Sequence, residues 1–464
     1  MGNRLRKPRF SFSVHFFFLR AALEPKRKSE QKILIFQKKD IIVMLKGTIT
    51  IPPDKSISHR SLIFSALTDS IVEIKNLSLG ADCISTLKIF EKLGVKYKFL
   101  SKRDLISDST NFLSKKEDYV FDCGNSGTTT RLLAGLFSGL GIDCTLTGDE
   151  SLSKRPMKRI IEPLSKMGAK ISSNDNKLPI KIKGGNLKAI TYYSPIASAQ
   201  VKSCLLLAGL GAEGKTKIYE PYLSRNHSEI MLEYLGANII SGNDENGYFT
   251  EIEKSKLTPK NIEIAGDISS AAFFMIAGAI IPNSEILIKN VGVNPTRSGI
   301  IDIFKQAEIN FELINERIIT NELTADIRVK YTPNIKPFKI EGSLIPRLID
   351  EIPALTLLAT QANGTSIIKD AQDLRNKESD RIKTIYDTFK LLDADIQENP
   401  DGFIVKGKKE FNKNVILETH LDHRLAMTYY ILSLSNRAKT EIKGFECVNT
   451  SFPEFMELIN QLKG

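Results

Sequence analysis

Met167-Gly168-Ala169-Lys170-Ile171 reads as the end of a helix, a tight turn and the start of a strand. Glycine behind an apolar helical residue supplies the left-handed cap that lets the chain reverse. The pattern recurs at Leu93-Gly94-Val95-Lys96-Tyr97 and at Leu235-Gly236-Ala237-Asn238-Ile239. Weaker copies are Lys305-Gln306-Ala307-Glu308-Ile309 and Leu392-Asp393-Ala394-Asp395-Ile396. Measured between second positions, the spacings are 74, 68, 70 and 87 residues, and a sixth helix, Phe455 to Leu462, closes the series. A recurring period of this kind marks one supersecondary unit used repeatedly.

A second helix recurs in every unit, with a polar start and an apolar body. The six are Lys55–Leu67, Asn125–Leu140, Ser198–Leu210, Ser269–Ile280, Asp350–Thr360 and Asp422–Leu434. Each leads to a short strand rich in Ile, Val or Thr, such as Ile71-Val72-Glu73-Ile74. Strands therefore alternate with two helices per unit, and three units make a domain of about 200 residues, an ordinary size for one core. The expected fold is α/β, with two similar domains of three units each. The first runs from 54 to 265. The second takes 266–464 together with 44–53, so the chain crosses between domains twice. A cleft between two such domains is a natural ligand site.

With 42% hydrophobic and 26% charged residues, the 464-residue chain has the composition of an ordinary globular protein. No run of 18 apolar residues occurs, so no membrane span is expected and the expected location is cytoplasmic. Five cysteines without a C-x-x-C pair suit buried, reduced thiols rather than disulfides or zinc. The net charge of +11 invites a nucleic-acid reading. Residues 1–43, however, hold eleven Lys/Arg against three Asp/Glu, a net of +8, which leaves +3 on the other 421. The body is nearly balanced and has no basic stripe interleaved with aromatics. The basic extension 1–43 is read as disordered or as no part of the mature protein. Met44-Leu45-Lys46-Gly47-Thr48-Ile49 is read as the first strand.

The chemistry gathers at helix starts, where backbone amides and the helix dipole favour anions. Asp54-Lys55-Ser56-Ile57-Ser58-His59-Arg60 can turn Lys, Ser and Arg toward one anion. Gly124-Asn125-Ser126-Gly127-Thr128-Thr129-Thr130-Arg131 offers hydroxyls, exposed amides and a glycine that admits a ligand close to the backbone. Ser198-Ala199-Gln200-Val201-Lys202 opens a helix in the same manner. In Lys377-Glu378-Ser379-Asp380-Arg381, Lys377 and Arg381 are four apart and are expected to share a helix face. Arg155 follows Lys154, Asp350-Glu351 precedes an apolar helix, and His420-Leu421-Asp422-His423-Arg424 precedes another. Any one of these is more often a capped, solvated helix start than a site; six in one chain are not. His420 and His423 lack a third ligand, so no metal is expected. Gly209-Leu210-Gly211-Ala212-Glu213-Gly214-Lys215-Thr216 matches both dinucleotide and P-loop patterns. Those motifs need a strand before and a helix after; here the helix comes first, so a helix-to-strand turn is expected.

Taken in order, these segments resemble the EPSP synthase family, the 3-phosphoshikimate 1-carboxyvinyltransferases. The likeness covers Met44 to the end and includes Arg225-Asn226-His227-Ser228-Glu229, Asn294-Pro295-Thr296-Arg297 and Asp422-His423-Arg424. The Ser-Ala-Gln-Val-Lys and Arg-Asn-His-Ser-Glu forms look like the family's second class. The resemblance implies two domains of three βαβαββ units each, an inside-out α/β barrel-like arrangement closing on substrates in the interdomain cleft. It implies transfer of enolpyruvyl from phosphoenolpyruvate to the 5-hydroxyl of shikimate 3-phosphate, with release of phosphate, no cofactor and a monomer. Lys55, Ser56 and Arg60 would reach the shikimate phosphate, Lys55 touching phosphoenolpyruvate as well. Ser198, Ala199, Gln200 and Arg225 would hold the same substrate, with Lys377. Gly127, Arg155, Arg381 and Arg424 would hold phosphoenolpyruvate. Asp350 and Glu378 match the family's carboxylates for proton transfer. Pro53 stands where the family usually has Gly and removes a backbone donor, which leaves the loop geometry there open; Asn376 replaces a more usual Val.

The sister enzyme that transfers the same group to UDP-N-acetylglucosamine shares the architecture. No matching cysteine loop is found, and Lys55-Ser56 fits the shikimate enzyme better. A nucleic-acid-binding protein and a P-loop kinase are remoter alternatives.

Overall fold

Two hydrophobic cores are buried separately. One gathers side chains from Ile57 to Ile264; the other gathers Leu45, Ile49 and Ile51 with side chains from Ile268 to Leu462. The structure, a computed structural model, describes residues 33–36, 43–113 and 118–463. The remainder of the basic extension, 1–32 and 37–42, lies outside the described residues.

Each core is wrapped by three small sheets, six in all among the described residues, five of four strands and one of three. Every four-stranded sheet joins one parallel pair to an antiparallel hairpin. In one, Lys46–Thr50 runs parallel to Glu285–Gly292, which pairs antiparallel with Glu322–Lys330. Inside the sheets lie the inner helices Lys55–Ala66, Gly127–Leu140, Ala199–Gly209, Ile268–Ile280, Ile352–Gln361 and His423–Ser435. All six match the expected helices to within two residues at each end. Asp54, Ser126, Ser198, Asp267 and Asp422 cap five of them through side-chain oxygens, the usual chemistry of helix starts. Their apolar bodies are buried nearly all round, which fits helices enclosed by sheets. At Gly135 the helix Gly127–Leu140 crosses Ala199–Gly209 so closely that a Cβ would lie 2.0 Å from the Cys204 carbonyl.

The turns after the outer helices carry the repeat. Gly94, Gly168 and Gly236 are left-handed at φ 100°, 97° and 78°, and Asp393 takes φ 56°. In the fourth copy the left-handed residue is Glu308, at φ 53°, rather than Gln306. The helix Gly299–Gln306 runs on to a cap at Ala307, so the true turn lies two residues beyond the one inferred from the Ala-x-Ile pattern.

The lobes are joined by two adjacent crossings. Asp54 N–H donates to Ala265 O at 2.8 Å and Asp267 N–H to Pro52 O at 2.9 Å, bracketing an antiparallel bridge between Pro53 and Gly266. Pro53 therefore occupies the non-hydrogen-bonded position of the pair, where no donor is required. The ladder is intact on both sides.

Two further expectations change. Ile33–Phe36, within the extension read as disordered or as no part of the mature protein, forms a strand antiparallel to Thr440–Lys443, which among the described residues otherwise pairs only with Val415–Glu418; Leu34 packs on the second core. Lys377 and Arg381 do not share a helix face: a 3₁₀ turn ends at Asn376, and Asp380 caps a helix that begins at Arg381. Asp380 can accept from Lys383 N–H only if the chain before it is non-helical. At Gly209–Thr216 the helix Ala199–Gly209 precedes the strand Lys215–Glu220, opposite to a P-loop, and exposed Lys215 pairs with Glu253 at 2.6 Å. Among the described residues no helix is long and apolar enough to cross a membrane, and all five cysteines are free and buried.

Candidate active site

From the first lobe, the helix start at Asp54 places Lys55 and Arg60. Lys55 Nζ lies 3.0 Å from Asp82 Oδ2; Asp82, then burial acting in the opposite sense, leaves the ammonium above its ordinary pKa. Arg60 is buried and held by Ser228 Oγ at 2.7 Å, Ser203 Oγ at 2.7 Å and the Ser56 carbonyl at 2.9 Å. That fork has spare N–H groups and a fixed orientation.

The Ser126 cap begins the second inner helix. A Cβ on Gly127 would come within 2.8 Å of Arg131 Nη1 and 3.7 Å of Arg155 Nη1, so glycine leaves room for two guanidinium groups at one helix start. Arg131 donates to Gln200 Oε1 at 2.7 Å, and Gln200 donates to Thr128 Oγ1 at 3.2 Å. Arg155 donates to Asn125 Oδ1 at 2.9 Å. Burial, then Arg159 and Arg155, push the Arg131 pKa down. The cluster carries more positive charge than its neighbours neutralise, and an entering anion would relieve that repulsion.

Ser198 caps the third inner helix, beginning with Ala199 and Gln200. Behind it, fully buried Lys202 sits 2.7 Å from both Glu220 and Glu229. Glu220 also accepts from Ser198 N–H at 3.2 Å and Ser224 N–H at 3.4 Å. Lys202 thus fastens the Ser198 turn to the segment carrying Arg225.

The second lobe supplies the carboxylates. Asp350 lies in the break between the short helix Ile345–Leu348 and the helix Ile352–Gln361. Four cations converge on it: Arg225 Nη2 at 2.8 Å, Lys377 Nζ at 3.6 Å, Arg297 Nη1 at 3.6 Å and Arg381 Nη1 at 3.8 Å. Arg225 comes from the first lobe, so this contact spans the cleft. Burial alone would raise Asp350, but Lys377, Arg225, Arg424 and Arg297 hold it well below the usual carboxylate range. Burial lowers the Lys377 pKa. Glu378 accepts from Arg381 Nη2 at 2.7 Å. Burial again acts upward, yet Arg381, His423, Lys377 and Arg155 together keep Glu378 ionised. Asp422 grips Arg381 at 2.8 and 3.2 Å. Arg424 donates to the Ser269 carbonyl at 3.1 Å.

Arg225 meets Asp350 across the lobes, and Lys55 and Arg155 act on the charge of Glu378, while Gly127 and Gln200 lie against Arg131 within the first lobe. Ser56, Ser198 and Ala199 stay within the first lobe's wall. Asp82 and Arg297 had been given no role. Asp82 lies in no recognisable spacing with Lys55, whereas Arg131 and Arg297 close the motifs Gly124–Arg131 and Asn294–Arg297 and are legible there as candidate cations.

Comparison with known proteins follows the same lines. The family profile described as EPSP synthase (3-phosphoshikimate 1-carboxyvinyltransferase) matches residues 39–459. A 3-phosphoshikimate 1-carboxyvinyltransferase of Thermoanaerobacter sp. (strain X514) is 47% identical over 420 residues, covering 90% of this chain and 98% of that protein. One from Bacillus subtilis (strain 168) is 43% identical over 427 residues, covering 92% and 99%. The structure of EPSP synthase from Acinetobacter baumannii superposes with a TM-score of 0.82 at 38% identity, covering 93% of this chain and 98% of that one. The enolpyruvyl transferase NikO from Streptomyces tendae shares the fold, with a TM-score of 0.73 at 14% identity and the same coverage.

Proposed function

The chain belongs to the EPSP synthase family, and from that premise we propose how its cleft performs the family's reaction. The enolpyruvyl group of phosphoenolpyruvate passes to the 5-hydroxyl of shikimate 3-phosphate and phosphate leaves, a step on the route to chorismate and the aromatic amino acids. The observation that carries the residue assignment is the meeting of cations from both lobes around Asp350 and Glu378.

The substrates bring two phosphates and two carboxylates into one cleft, so preorganised cations must lower their repulsion. Lys55, Ser56 and Arg60, with Ser198, Ala199, Gln200, Arg225 and Lys377, hold shikimate 3-phosphate. Gly127, Arg155, Arg381 and Arg424 hold phosphoenolpyruvate, with Lys55 between the two. Arginine forks suit the planar oxyanions, and lysine acts as a movable point charge. Asp350, ionised by its cations, takes the 5-hydroxyl proton as the oxygen bonds to the enol carbon. An acid delivers a proton to the methylene carbon and gives a tetrahedral adduct. Loss of a proton from the new methyl group then expels phosphate and restores the enol ether. Glu378 serves as the acid: bound anions offset Arg381, Lys377 and Arg155 and raise its proton affinity. Exclusion of water around the adduct requires the lobes to stay together.

The test is a phosphate-release assay on the full chain. Release should require phosphoenolpyruvate and shikimate 3-phosphate together; absence of release with both, or release driven by UDP-N-acetylglucosamine instead, would overturn the reading.

A further inference from the structure

Asn226 and His227 of one quoted motif, and the Asn294–Arg297 motif, have no part in the chemistry above, and they meet across the lobes. In the first lobe Arg225 is followed by Asn226 and His227; in the second, Asn294 leads to Thr296 and Arg297. Asn226 N–H donates to Thr296 Oγ1 at 3.2 Å, and Asn226 Oδ1 accepts from Thr296 Oγ1 and Asn294 Nδ2, both at 2.9 Å. His227 Nδ1 lies 2.6 Å from Glu322 Oε1, whose other oxygen accepts from Asn294 Nδ2 at 2.9 Å. Asn294, Thr296, His227 and Glu322 are all buried. Buried polar groups that bond to one another in this way favour one arrangement of the parts they join, although His227 Nε2 is itself buried without a partner.

Arg297 ends the turn and is 4% exposed. Its guanidinium faces Asp267 at 3.3 Å, Asp350 and Glu351 each at 3.6 Å, and Asp54 at 4.0 Å. Asp54 and Asp267 directly follow the two interlobe crossings. One side chain therefore touches both crossings and the carboxylate assigned to take the substrate proton. Its Nε and Nη1 are buried without a hydrogen bond, an unusual state for a guanidinium. Nη1 stops about 0.7 Å beyond a normal contact with Asp350 or Glu351. The group donates to Asp267 through Nη2 and points Nη1 at Asp350 and Glu351 without a hydrogen bond.

We propose that the Asn226–His227 segment and the Asn294–Arg297 turn form an interlobe clasp, and that Arg297 is a positioning residue which sets Asp350 for reaction as the lobes seat. Seating the clasp brings Arg225 to one side of Asp350 and completes the Arg297 contact on the other. Docking of the lobes and aiming of the carboxylate become one event. Neither Thr296 nor Arg297 touches substrate in this scheme.

The inference rests on the reaction assigned above, so wild-type phosphate release is measured first; a silent wild type counts against that reading, not against the clasp. Thr296→Val removes the hydroxyl that holds Asn226 and leaves every charge in place. It should fold, lower kcat roughly tenfold, and move KM for either substrate less than threefold. Arg297→Lys keeps the charge but loses the fork, and should lower kcat about a hundredfold. Because Arg297 acts through Asp350, Arg297→Lys in an Asp350→Asn background should cost under roughly threefold more. The clasp is overturned if both single variants hold kcat within about threefold of wild type, or if the Arg297→Lys and Asp350→Asn losses multiply in full. Should Arg297→Lys fail to fold, Thr296→Val decides alone.

Discussion

Glu378 carries two demands. In its proposed role as acid it must hold a proton, yet Arg381 at 2.7 Å and the nearby His423, Lys377 and Arg155 favour its charge. Only ligand anions can reverse that balance, so its proton affinity belongs to the ternary complex. Glu378→Gln should lower kcat by roughly a hundredfold or more while substrate dissociation constants, read by calorimetry, move less than about fivefold. Nearly full turnover in that variant would remove Glu378 from its role. Histidine makes a separate prediction. Burial pushes His59 down to about 3 and His423 down to about 4. Between those values and the ordinary histidine pKa of about 6.5, the unfolded chain takes up protons that the folded chain refuses. Stability is therefore complete above about pH 6.5 and declines as pH falls from there. The ceiling is about 1.4 kcal/mol per pH unit for each histidine. Denaturant midpoints between pH 7 and 5 should show this slope, and His59→Gln should flatten it; an unchanged slope would show that His59 is not kept neutral. The depressed carboxylates Asp350 and Glu378 add their losses only at lower pH.

At the scale of the element, the repeat is carried by left-handed residues behind the outer helices. Three are glycine; Glu308 pays a steric cost that glycine avoids. Glu308→Gly should therefore raise unfolding free energy by about 0.5–1 kcal/mol, less the added backbone freedom of the unfolded chain, as read by urea titration. The ion pair with Lys336 that it removes is exposed, at 3.8 Å, and contributes little. A loss of stability would mean that the turn is not strained. That turn also shows where sequence reading runs out. Inner helices were legible because Asp or Ser caps stand directly before long apolar runs. The fourth turn was misplaced because Ala307 and Ile309 fit the pattern in two registers. Lys377 was put on a helix because four-residue spacing is blind to the cap at Asp380. Asp82 and Arg297 went unassigned because their partners are distant in sequence. Ile33–Phe36 went unnoticed because a short apolar run in a basic segment becomes a strand only when an unpaired edge such as Thr440–Lys443 is at hand.

The whole molecule is one lobe inserted into another. Asp54 N and Ala265 O are 2.8 Å apart, so the inserted lobe begins and ends at hydrogen-bonded neighbours. We propose 54–265 and 44–53 with 266–464 as the two domains, each with its own core. A fragment spanning 54–265 should fold alone, with one cooperative urea transition and dispersed amide resonances. It should bind shikimate 3-phosphate weakly and release no phosphate, since Asp350 and Glu378 lie in the other lobe. A fragment without cooperative unfolding would refute the boundary. The insertion also has a consequence in time. Lys46–Thr50 leaves the ribosome about 235 residues before its sheet partner Glu285–Gly292. At usual elongation rates that strand waits on the order of ten to fifty seconds for the sheet it belongs to. The inserted lobe can complete its core during that interval. The waiting strand, Lys-Gly-Thr-Ile-Thr, buries only Ile49 when paired. Such a short, polar sequence is poor material for aggregation, so the first strand of the outer lobe is one that newborn chains can safely leave unpaired.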